Sequence, residues 1–571
     1  MTTPRTVAKR RTAEPAPLSH PAVLWVALVA AGAILAGVTY RFFDFDLFEH
    51  LVVGKYLWTA RAIPHTQLWT WPTYGQPAMI PSWLFRALLW PFWEHGGVLG
   101  LFAWRWLTTL AAFALLFAAA RRMGASPITS LVVLALCALP YRGRTLPRPE
   151  TVAYVLFAAQ ILLLEPRRAG GPRRDIALIL VAWIWINCHI SFYIGLAHLG
   201  VHAIGAAWPT RAVPPAERRA RTSRLLLVML ACLAVSFLNP FGWKAVAQPL
   251  DFLVRGRSEL VYRTVGELGA IDWRIHWKSG LPLLAIGWPA LIAWRVRRRG
   301  LDPVEALLCG WLTLQMLGSQ RLRAFYALAA APYVARDVSD LLAAWRGTRP
   351  PLPIPARAAA ATVLIVACGW MEWSLPEFPL GVGLDMRQFP VAACDWIERH
   401  GVRGRVFNHF WLGGYVEYRF WPDRTRLPFM DGHLESGTAH DRTLYTEAQT
   451  RRDAWQRLDA EKRFDWLLLD LRLASAIPFR AFVEDDSSWA CVFVDDAAAV
   501  FVRRNGPLAT IAERFAYRRL RVSPPALQAL IERGRTDATL RAEIESELAR
   551  QIAESPEHEV ALAIRDAIRS R

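Results

Sequence analysis

Asp44-Phe45-Asp46 is followed at once by Glu49 and His50. Asp46 and His50 stand at i and i+4, on one face if the segment is helical. A carboxylate held at a bilayer surface and partly desolvated has a raised pKa and can serve as a general base. The plainer role for Asp44 is to cap the helix that follows. The segment Asp46–Ala62 reads as an amphipathic helix, with Leu47, Phe48, Leu51, Val52, Tyr56 and Leu57 on its apolar side and Pro64 closing it. Such a helix is expected to lie along a membrane surface.

A second set of residues is basic. Arg148-Pro149-Glu150 and Arg321-Leu322-Arg323 flank apolar runs. Guanidinium groups at a membrane–water boundary suit phosphate recognition, because they donate paired hydrogen bonds and are not deprotonated. Anchoring to lipid headgroups is the competing use. Asn187-Cys188-His189 stands between two apolar runs, where His189 is either a ligand or a satisfied structural residue. Asn239-Pro240-Phe241-Gly242 reads as a turn. It opens a long loop, 243–277, that contains Glu267, and a structureless loop of such length is uncommon and often functional.

In the polar C-terminal third, Asn408-His409-Phe410-Trp411-Leu412-Gly413-Gly414-Tyr415 and Phe429-Met430-Asp431-Gly432-His433 stand out. Paired glycines suggest a tight turn or a close backbone approach to a ligand. His409, His433, His440 and Asp441 match no standard metal-site spacing, so no metal ligand is assigned. Phosphate-loop, dinucleotide, paired-cysteine and nucleophile-elbow motifs find no convincing context.

The elements that must position these residues follow from composition. The chain has 571 residues, 54% hydrophobic and 20% charged, with a mean hydropathy of +0.20. The apolar excess falls in blocks, which excludes a purely soluble enzyme and a disordered chain. The net charge of +19 comes from 67 basic against 48 acidic residues, and almost all the bases are arginine. These arginines flank apolar segments, the pattern of membrane topology rather than of nucleic-acid binding. The 27 tryptophans often lie near segment ends, like an interfacial belt.

A basic leader with Arg5, Lys9, Arg10 and Arg11 precedes a first apolar run at 22–41, read as an uncleaved helix with its N-terminus in the cytoplasm. Further runs cover 97–119, 127–141, 151–165, 175–189, 190–208, 224–239, 278–295, 303–319, 324–345 and 356–374. Alternation places Arg121–Arg122, Arg167–Arg174, Arg211–Arg224, Arg295–Arg299 and Arg346–Arg357 on the side of the N-terminus. About eleven spans, N inside and C outside, then satisfy the positive-inside rule.

The expected fold is thus an α-helical polytopic membrane protein with a C-terminal periplasmic α/β domain and a helical tail. Its boundaries are a cytoplasmic leader 1–21, a transmembrane domain 22–374 with a first outer loop 42–96, an α/β domain 375–506 and a tail 507–571. Within 375–506 the strand-like runs are Arg405–Phe410, Trp466–Leu471, Cys491–Val494 and Ala499–Arg503, and the helical ones are Val391–His400 and Thr443–Leu458. Cys137, Cys188, Cys232, Cys309 and Cys368 lie in apolar runs as small core residues, and Cys394 could pair with Cys491 if the last third is periplasmic.

On this topology the outer ends of the helices carry Asp44, Asp46, Glu49, His50, Arg142, Arg144, Arg148, Glu150, Asn187, His189, Asn239, Glu267, Gln320, Arg321 and Arg323. Charges at a membrane boundary are costly unless paired or in a wet cavity. A cavity open to the outer face, holding carboxylates and cations, accounts for all of them.

The order of these motifs resembles the GT-C glycosyltransferases, and more narrowly a largely uncharacterised bacterial multi-pass group. The matching residues are Asp44-Phe45-Asp46-Leu47-Phe48-Glu49-His50, Gly54, Ile63-Pro64-His65-Thr66, Gly75-Gln76-Pro77 and Trp83-Leu84. Arg148-Pro149, Asn187-Cys188-His189, Asn239 to Gly242, Arg321 and the Gly413 to Gly432 stretch match as well. The resemblance spans residues 20–505 and implies a protein of the bacterial inner membrane. It implies transfer of a sugar from a polyprenyl-phosphate donor to an acceptor hydroxyl at the periplasmic face. The acceptor is a glycan, lipid or protein. Asp44 or Asp46 would be the catalytic base, and His50, Arg148, Glu150, His189, Glu267, Arg321 and Arg323 would bind substrate. Some relatives use a divalent cation, Mg or Mn, and others none. Gln67 and Ser82 replace acids common in the group, which weakens a metal role. Two alternatives are a non-catalytic envelope assembly protein and a lipid or glycan transporter. A transporter needs polar residues near mid-helix, whereas here they gather at helix ends.

Overall fold

The computed structural model describes residues 17–165, 171–209, 213–434 and 437–569. The leader arginines Arg5, Arg10 and Arg11, with Lys9, and the loop arginines Arg167, Arg168 and Arg211 lie outside the described residues. The chain forms two compact units, each assembled from separate stretches. A helical unit takes Met1–Tyr40, Phe102–Leu238 and Glu267–Val382; a mixed unit takes Arg41–Leu101, Asn239–Gly266 and Gly383–Arg571.

In the helical unit every apolar run read from the sequence is a helix. They are Pro21–Val38, the later part of Trp83–Arg122, Pro127–Arg142, Glu150–Leu164, Pro172–Cys188, Phe192–Ala207, Pro215–Ser236, Leu281–Arg299, Pro303–Gly318, Arg323–Arg346 and Ile354–Trp373. Proline opens several of them, where its missing N–H costs nothing. Arginines close others and complement the helix dipole. Among the described residues, three helices are long and apolar enough to cross a membrane: Pro21–Val38, Trp83–Arg122, which is kinked at Gly97, and Ile354–Met371. Pro127–Arg142, Glu150–Leu164 and Phe192–Ala207 are shorter and also apolar. Small residues let helices approach: a methyl on Gly195 would sit 2.9 Å from the Trp185 ring.

The loop 243–277 is not structureless. It holds a helix Trp243–Val254 and short helical turns at Leu260–Arg263 and Trp273–His276. The helical spacing of Trp243, Val246, Leu250 and Val254 accounts for the first of these.

Among the described residues, the sheet of the mixed unit has four strands: β1 Val406–Asn408, β2 Trp466–Asp470, β3 Trp489–Val494 and β4 Ala498–Arg503. Their order is β1-β2-β4-β3, with β1 parallel to β2 and the other pairs antiparallel. Every residue of β1 and β2 is buried, which explains their continuous apolar runs. The expected helix Thr443–Leu458 is two helices, Ala439–Ala448 and Arg452–Lys462. Arg451 between them is extended, at φ −125° and ψ 118°, and no glycine or proline marks this break in the sequence. Cys394 and Cys491 do not pair: both are free thiols, one within the helix Val391–Arg399 and one on β3. Among the described residues, four helices follow Pro507: Ala509–Phe515, Pro524–Thr536, Ala538–Glu554 and Glu559–Arg569.

The first-loop helix runs Leu47–Ala60 and ends at Arg61, which turns left-handed at φ 50°. Its expected solvent face is covered, since Glu49 and His50 are 4% and 7% exposed. The reason is glycine on both sides. A methyl on Gly54 would lie 2.6 Å from the Arg86 carbonyl oxygen, and one on Gly414 would lie 3.1 Å from the Glu49 backbone nitrogen. Two other helices therefore approach this one at backbone distance.

Candidate functional site

The acidic motif lies wholly in the mixed unit. Phe42 is held extended by hydrogen bonds from its N–H to the Gly383 carbonyl (3.2 Å) and from the Asp385 N–H to its own carbonyl (2.9 Å). The chain then turns into the first-loop helix. Asp44 Oδ1 accepts the Asp46 N–H at 3.2 Å, and the Asp44 carbonyl accepts the Leu47 N–H at 3.2 Å. Asp44 is buried and shapes the turn ahead of the helix, whose N-cap position is Asp46 with no side-chain cap. Asp46 is half-buried and takes a different position. A methyl on Gly432 would lie 2.7 Å from Asp46 Oδ1 and 3.1 Å from Glu49 Oε2, so the two carboxylates converge on that glycine.

Three residues beyond the expected set build this corner. Arg86 donates to Glu49 Oε1 at 2.6 Å and, through Nε, to His50 Nδ1 at 3.3 Å. His50 is thereby an acceptor at Nδ1 and carries its ring proton on Nε2. An arginine inside the apolar run Trp83–Trp93 was the available signal. Asp431 is held by the segment around it, for Asn408 donates to the Met430 carbonyl (2.7 Å) and accepts the Phe429 N–H (2.7 Å). Gly413 allows this packing, because a methyl there would collide with the Met430 carbonyl oxygen and lie 2.7 Å from Asp431 Cα. The paired glycines thus serve backbone contacts of this unit. Glu417, one turn beyond them, is fully buried. Burial, then Asp431 and Glu49, push its carboxyl well above the ordinary value, with Arg86 opposing. The neutral form of Glu417 is therefore favoured in the fold.

The histidines of this unit go to separate partners. His409 Nδ1 accepts the Asp470 N–H at 2.7 Å and its Nε2 faces Gln449 Oε1 at 3.1 Å, which ties the end of β1 to the end of β2. Burial pushes its pKa down to about 4. His440 pairs with Glu461 at 2.9 Å, and Asp441 with Lys462 at 2.5 Å. Among the described residues, no three His, Cys, Asp or Glu side chains are grouped to hold a metal ion, and Glu49 is already neutralised by Arg86.

The basic motif lies wholly in the helical unit, and the structure brings its expected members together. Arg148 donates to Glu267 Oε1 at 2.5 Å, and Arg144 pairs with the other oxygen of Glu267 and with Glu150 Oε1 at 3.2 Å. Arg321 donates to Glu150 Oε1 through Nε at 2.7 Å and through a terminal nitrogen at 2.5 Å. His189 Nδ1 accepts the Ser191 N–H at 3.2 Å, so Nε2 carries the proton and faces Glu150 Oε2 at 4.0 Å. Arg323 donates to His276 Nε2 at 3.2 Å and packs on Gly143, where a methyl would lie 2.6 Å from its guanidinium.

Four arginines (Arg144, Arg148, Arg321, Arg323) therefore meet two glutamates (Glu150, Glu267), leaving a positive balance. Burial raises the Glu267 carboxyl, but Arg148 and Arg144 outweigh it and hold the group well below the usual carboxylate range. Glu267 stays ionised and stabilises the arginine cluster. Arg321 keeps 34% of its side chain exposed and Arg148 14%, so Arg321 is the more exposed of the two. Arg105, which the sequence reading passed over, braces the hairpin from below. It is fully buried and donates to the Thr145 carbonyl (3.0 Å) and the Tyr40 carbonyl (3.2 Å), with its plane 4.4 Å from the Tyr40 ring centre. The Asn239 motif is a turn, as expected: Asn239 Oδ1 accepts the Phe241 N–H at 2.8 Å, and Gly242 has φ 56°.

No family model and no curated protein matches the chain. Solved structures do. The archaeal oligosaccharyltransferase AglB from Archaeoglobus fulgidus, in complex with an inhibitory peptide and a dolichol-phosphate, overlaps with a TM-score of 0.56 at 11% identity, over 85% of this chain and 74% of the other. The same oligosaccharyltransferase tethered to an acceptor peptide overlaps at 0.53, again at 11% identity and over 85% and 74% of the two chains. The arabinofuranosyltransferase AftD from Mycobacteria overlaps at 0.49, with 15% identity over 84% of this chain and 40% of the other.

Proposed function

We propose that this chain, which has the GT-C fold, is a membrane glycosyltransferase that moves a sugar from a polyprenyl-phosphate donor to an acceptor hydroxyl. The observation that carries this reading is the arginine cluster. Arg148, Arg321 and Arg323 are preassembled around Glu150, Glu267 and His276 with excess positive charge, which suits a phosphate whose negative charge grows as it leaves. The likeness to AglB, described in complex with a dolichol-phosphate, supports a lipid-phosphate donor.

Asp46 is the base in this reading, because Asp44 is engaged in the turn. Asp46 takes the proton of the acceptor hydroxyl. The acceptor oxygen attacks the anomeric carbon, the bond from that carbon to the phosphate oxygen breaks, and its electron pair stays on the departing polyprenyl phosphate. The configuration at the anomeric carbon inverts. Arg148, Arg321 and Arg323 bind the phosphate, with His189 and Glu267 fixing the arginines and His50 fixing Arg86. Any divalent cation would need Asp46 or Glu49 as ligand, and no step is assigned to it.

The eleven helices of the helical unit are the spans, with the N-terminus cytoplasmic and the last third periplasmic, in a bacterial inner membrane. The test is reconstituted protein given a labelled polyprenyl-phosphate sugar and envelope glycan acceptors. Labelled acceptor should form with wild type and not with Asp46→Asn. Energy-dependent movement of the lipid with no covalent product would replace this reading with a transporter.

A further inference from the structure

A cavity of about 320 Å³ lies at the other end of the helical unit from the Glu150 cluster. The helix Glu150–Leu164 connects the two places, since Glu150 opens it and Leu163 and Leu164 line the cavity. Its fifteen residues rise about 22 Å, a large part of a bilayer's hydrocarbon core. The cavity therefore belongs to neither candidate cluster.

Its lining is amphiphilic. Arg174, Arg218, Arg221, Arg224, Arg295 and Arg299 supply the charge. Leu163, Leu178, Leu225 and Trp208 supply apolar wall. Membrane topology alone asks for arginine at these helix ends but not for a direction. Here the neighbours divide: Arg174, Arg218 and Arg221 line the cavity and are half-buried, whereas Arg173, Arg219 and Arg298 are exposed and are not part of its lining; Arg299 lines it from an exposed position.

Some of the lining charge is structural. Arg224 is clamped on Asp175 at 2.9 and 2.5 Å, and Arg295 on Asp337 at 2.8 Å and Asp340 at 3.1 Å. Asp302, also at the cavity, is matched by Arg336 at 3.2 Å. Arg221 and Arg299 pair only with the rim carboxylates Glu217 and Asp340, and Arg218 is matched with no carboxylate among the described residues. The cavity thus keeps guanidinium groups over an apolar floor, which fits a phosphate carried on an acyl or prenyl chain.

We propose that this cavity binds the phosphate headgroup of an anionic phospholipid, held by Arg218, Arg221 and Arg299, with the first part of the lipid chain against Leu163, Leu178 and Trp208. This rests on the reading of the helices as membrane spans and is independent of the transfer reaction. It gives the protein a second lipid site, at the arginine-rich end of the helices.

The test uses the full chain purified with native lipid and examined by native mass spectrometry, with phosphatidylglycerol and phosphatidylcholine added in turn. Wild type should retain phosphatidylglycerol in preference to phosphatidylcholine. The triple variant Arg218→Gln/Arg221→Gln/Arg299→Gln should lose that preference by about tenfold or more, and Arg218→Lys/Arg221→Lys/Arg299→Lys should recover much of it. Arg173→Gln/Arg219→Gln/Arg298→Gln removes the same charge outside the cavity and should retain the preference. Equal loss in both glutamine triples, or no loss in either, overturns the site. Release of the lipid by excess inorganic phosphate also overturns it, by showing that the cavity takes free phosphate. Sugar transfer is measured in parallel: loss of transfer with intact lipid preference counts against the proposed function alone.

Discussion

Gly432 stands so close to Asp46 that a methyl group on it would lie 2.7 Å from Asp46 Oδ1. Real side chains do not sit at that distance, so Gly432→Ala must displace the carboxylate or its own segment. A misplacement of about 1 Å at a reacting group costs on the order of 10²-fold in rate. We expect Gly432→Ala to lower transfer to that degree with its melting temperature near wild type. Gly310→Ala, at a helical glycine with open space around it, is the control and should leave transfer unchanged. Wild-type turnover by Gly432→Ala would remove Asp46 from the mechanism.

Asp44 and Asp46 separate in their expected behaviour, although the sequence presents them as a pair. Asp44 Oδ1 accepts the Asp46 N–H. Asparagine can do the same, so Asp44→Asn should keep most of its activity, while Asp44→Ala loses the turn at about 1 kcal/mol of stability. Asp46→Asn keeps the shape and removes the base, with an expected loss of about 10²–10⁴-fold in turnover. Steady-state rates and melting curves of the three variants decide this. Equal losses in Asp44→Asn and Asp46→Asn would contradict the assignment.

The helical frame was legible because its signal is local. Each apolar run reports its own helix, as Glu150–Leu164 and Pro303–Gly318 show. Charge placement likewise identified Arg148, Glu150, Glu267 and Arg321 as neighbours on one side, and the structure brings them within ion-pair distance. What the sequence hid depends on long-range packing. Arg86 reaches Glu49 across 37 positions of chain, and Arg105 reaches Thr145 across 40. Neither sits in a motif; each is a single charge in an apolar run. The paired glycines were read as a turn or a ligand approach, yet they admit the backbones of Phe45, Glu49 and Met430. The covered face of Leu47–Ala60 was missed for the same reason, since glycine says that something comes close but not what.

Glu417 makes stability depend on pH in a definite direction. Its carboxyl sits well above its ordinary value of 4.5, through burial and the neighbouring Asp431 and Glu49. The folded state therefore holds this proton more tightly than the unfolded state does. The stabilisation is fully present below pH 4.5 and is lost as pH rises through the higher folded value. Glu417→Gln imitates the protonated form and should remove this term. Melting temperatures measured from acid to neutral pH should fall for wild type relative to Glu417→Gln. Parallel curves for the two proteins would show that Glu417 is ionised in the fold.

Glu150 and Arg321 are expected to act in opposite directions on the donor and in the same direction on stability. Glu150 Oε1 accepts from Arg321 at 2.7 and 2.5 Å and from Arg144 at 3.2 Å. Glu150→Gln leaves Arg321 without its counter-charge and Arg144 with Glu267 alone. The cost is about 2 kcal/mol, below that of a fully buried pair because a third of the Arg321 side chain meets solvent. The same change makes the cluster more positive, so polyprenyl phosphate should bind more tightly and the donor KM should fall. Arg321→Gln leaves Glu150 short of a partner and also removes a phosphate donor, so it should destabilise while raising the donor KM. In Glu150→Gln/Arg321→Gln both charges go together, and stability should recover toward wild type while the donor KM stays high. Product-inhibition constants for polyprenyl phosphate and melting curves give both readouts from one set of samples. If the donor KM does not respond to Arg321→Gln, the arginine cluster is a structural network and the phosphate is bound elsewhere.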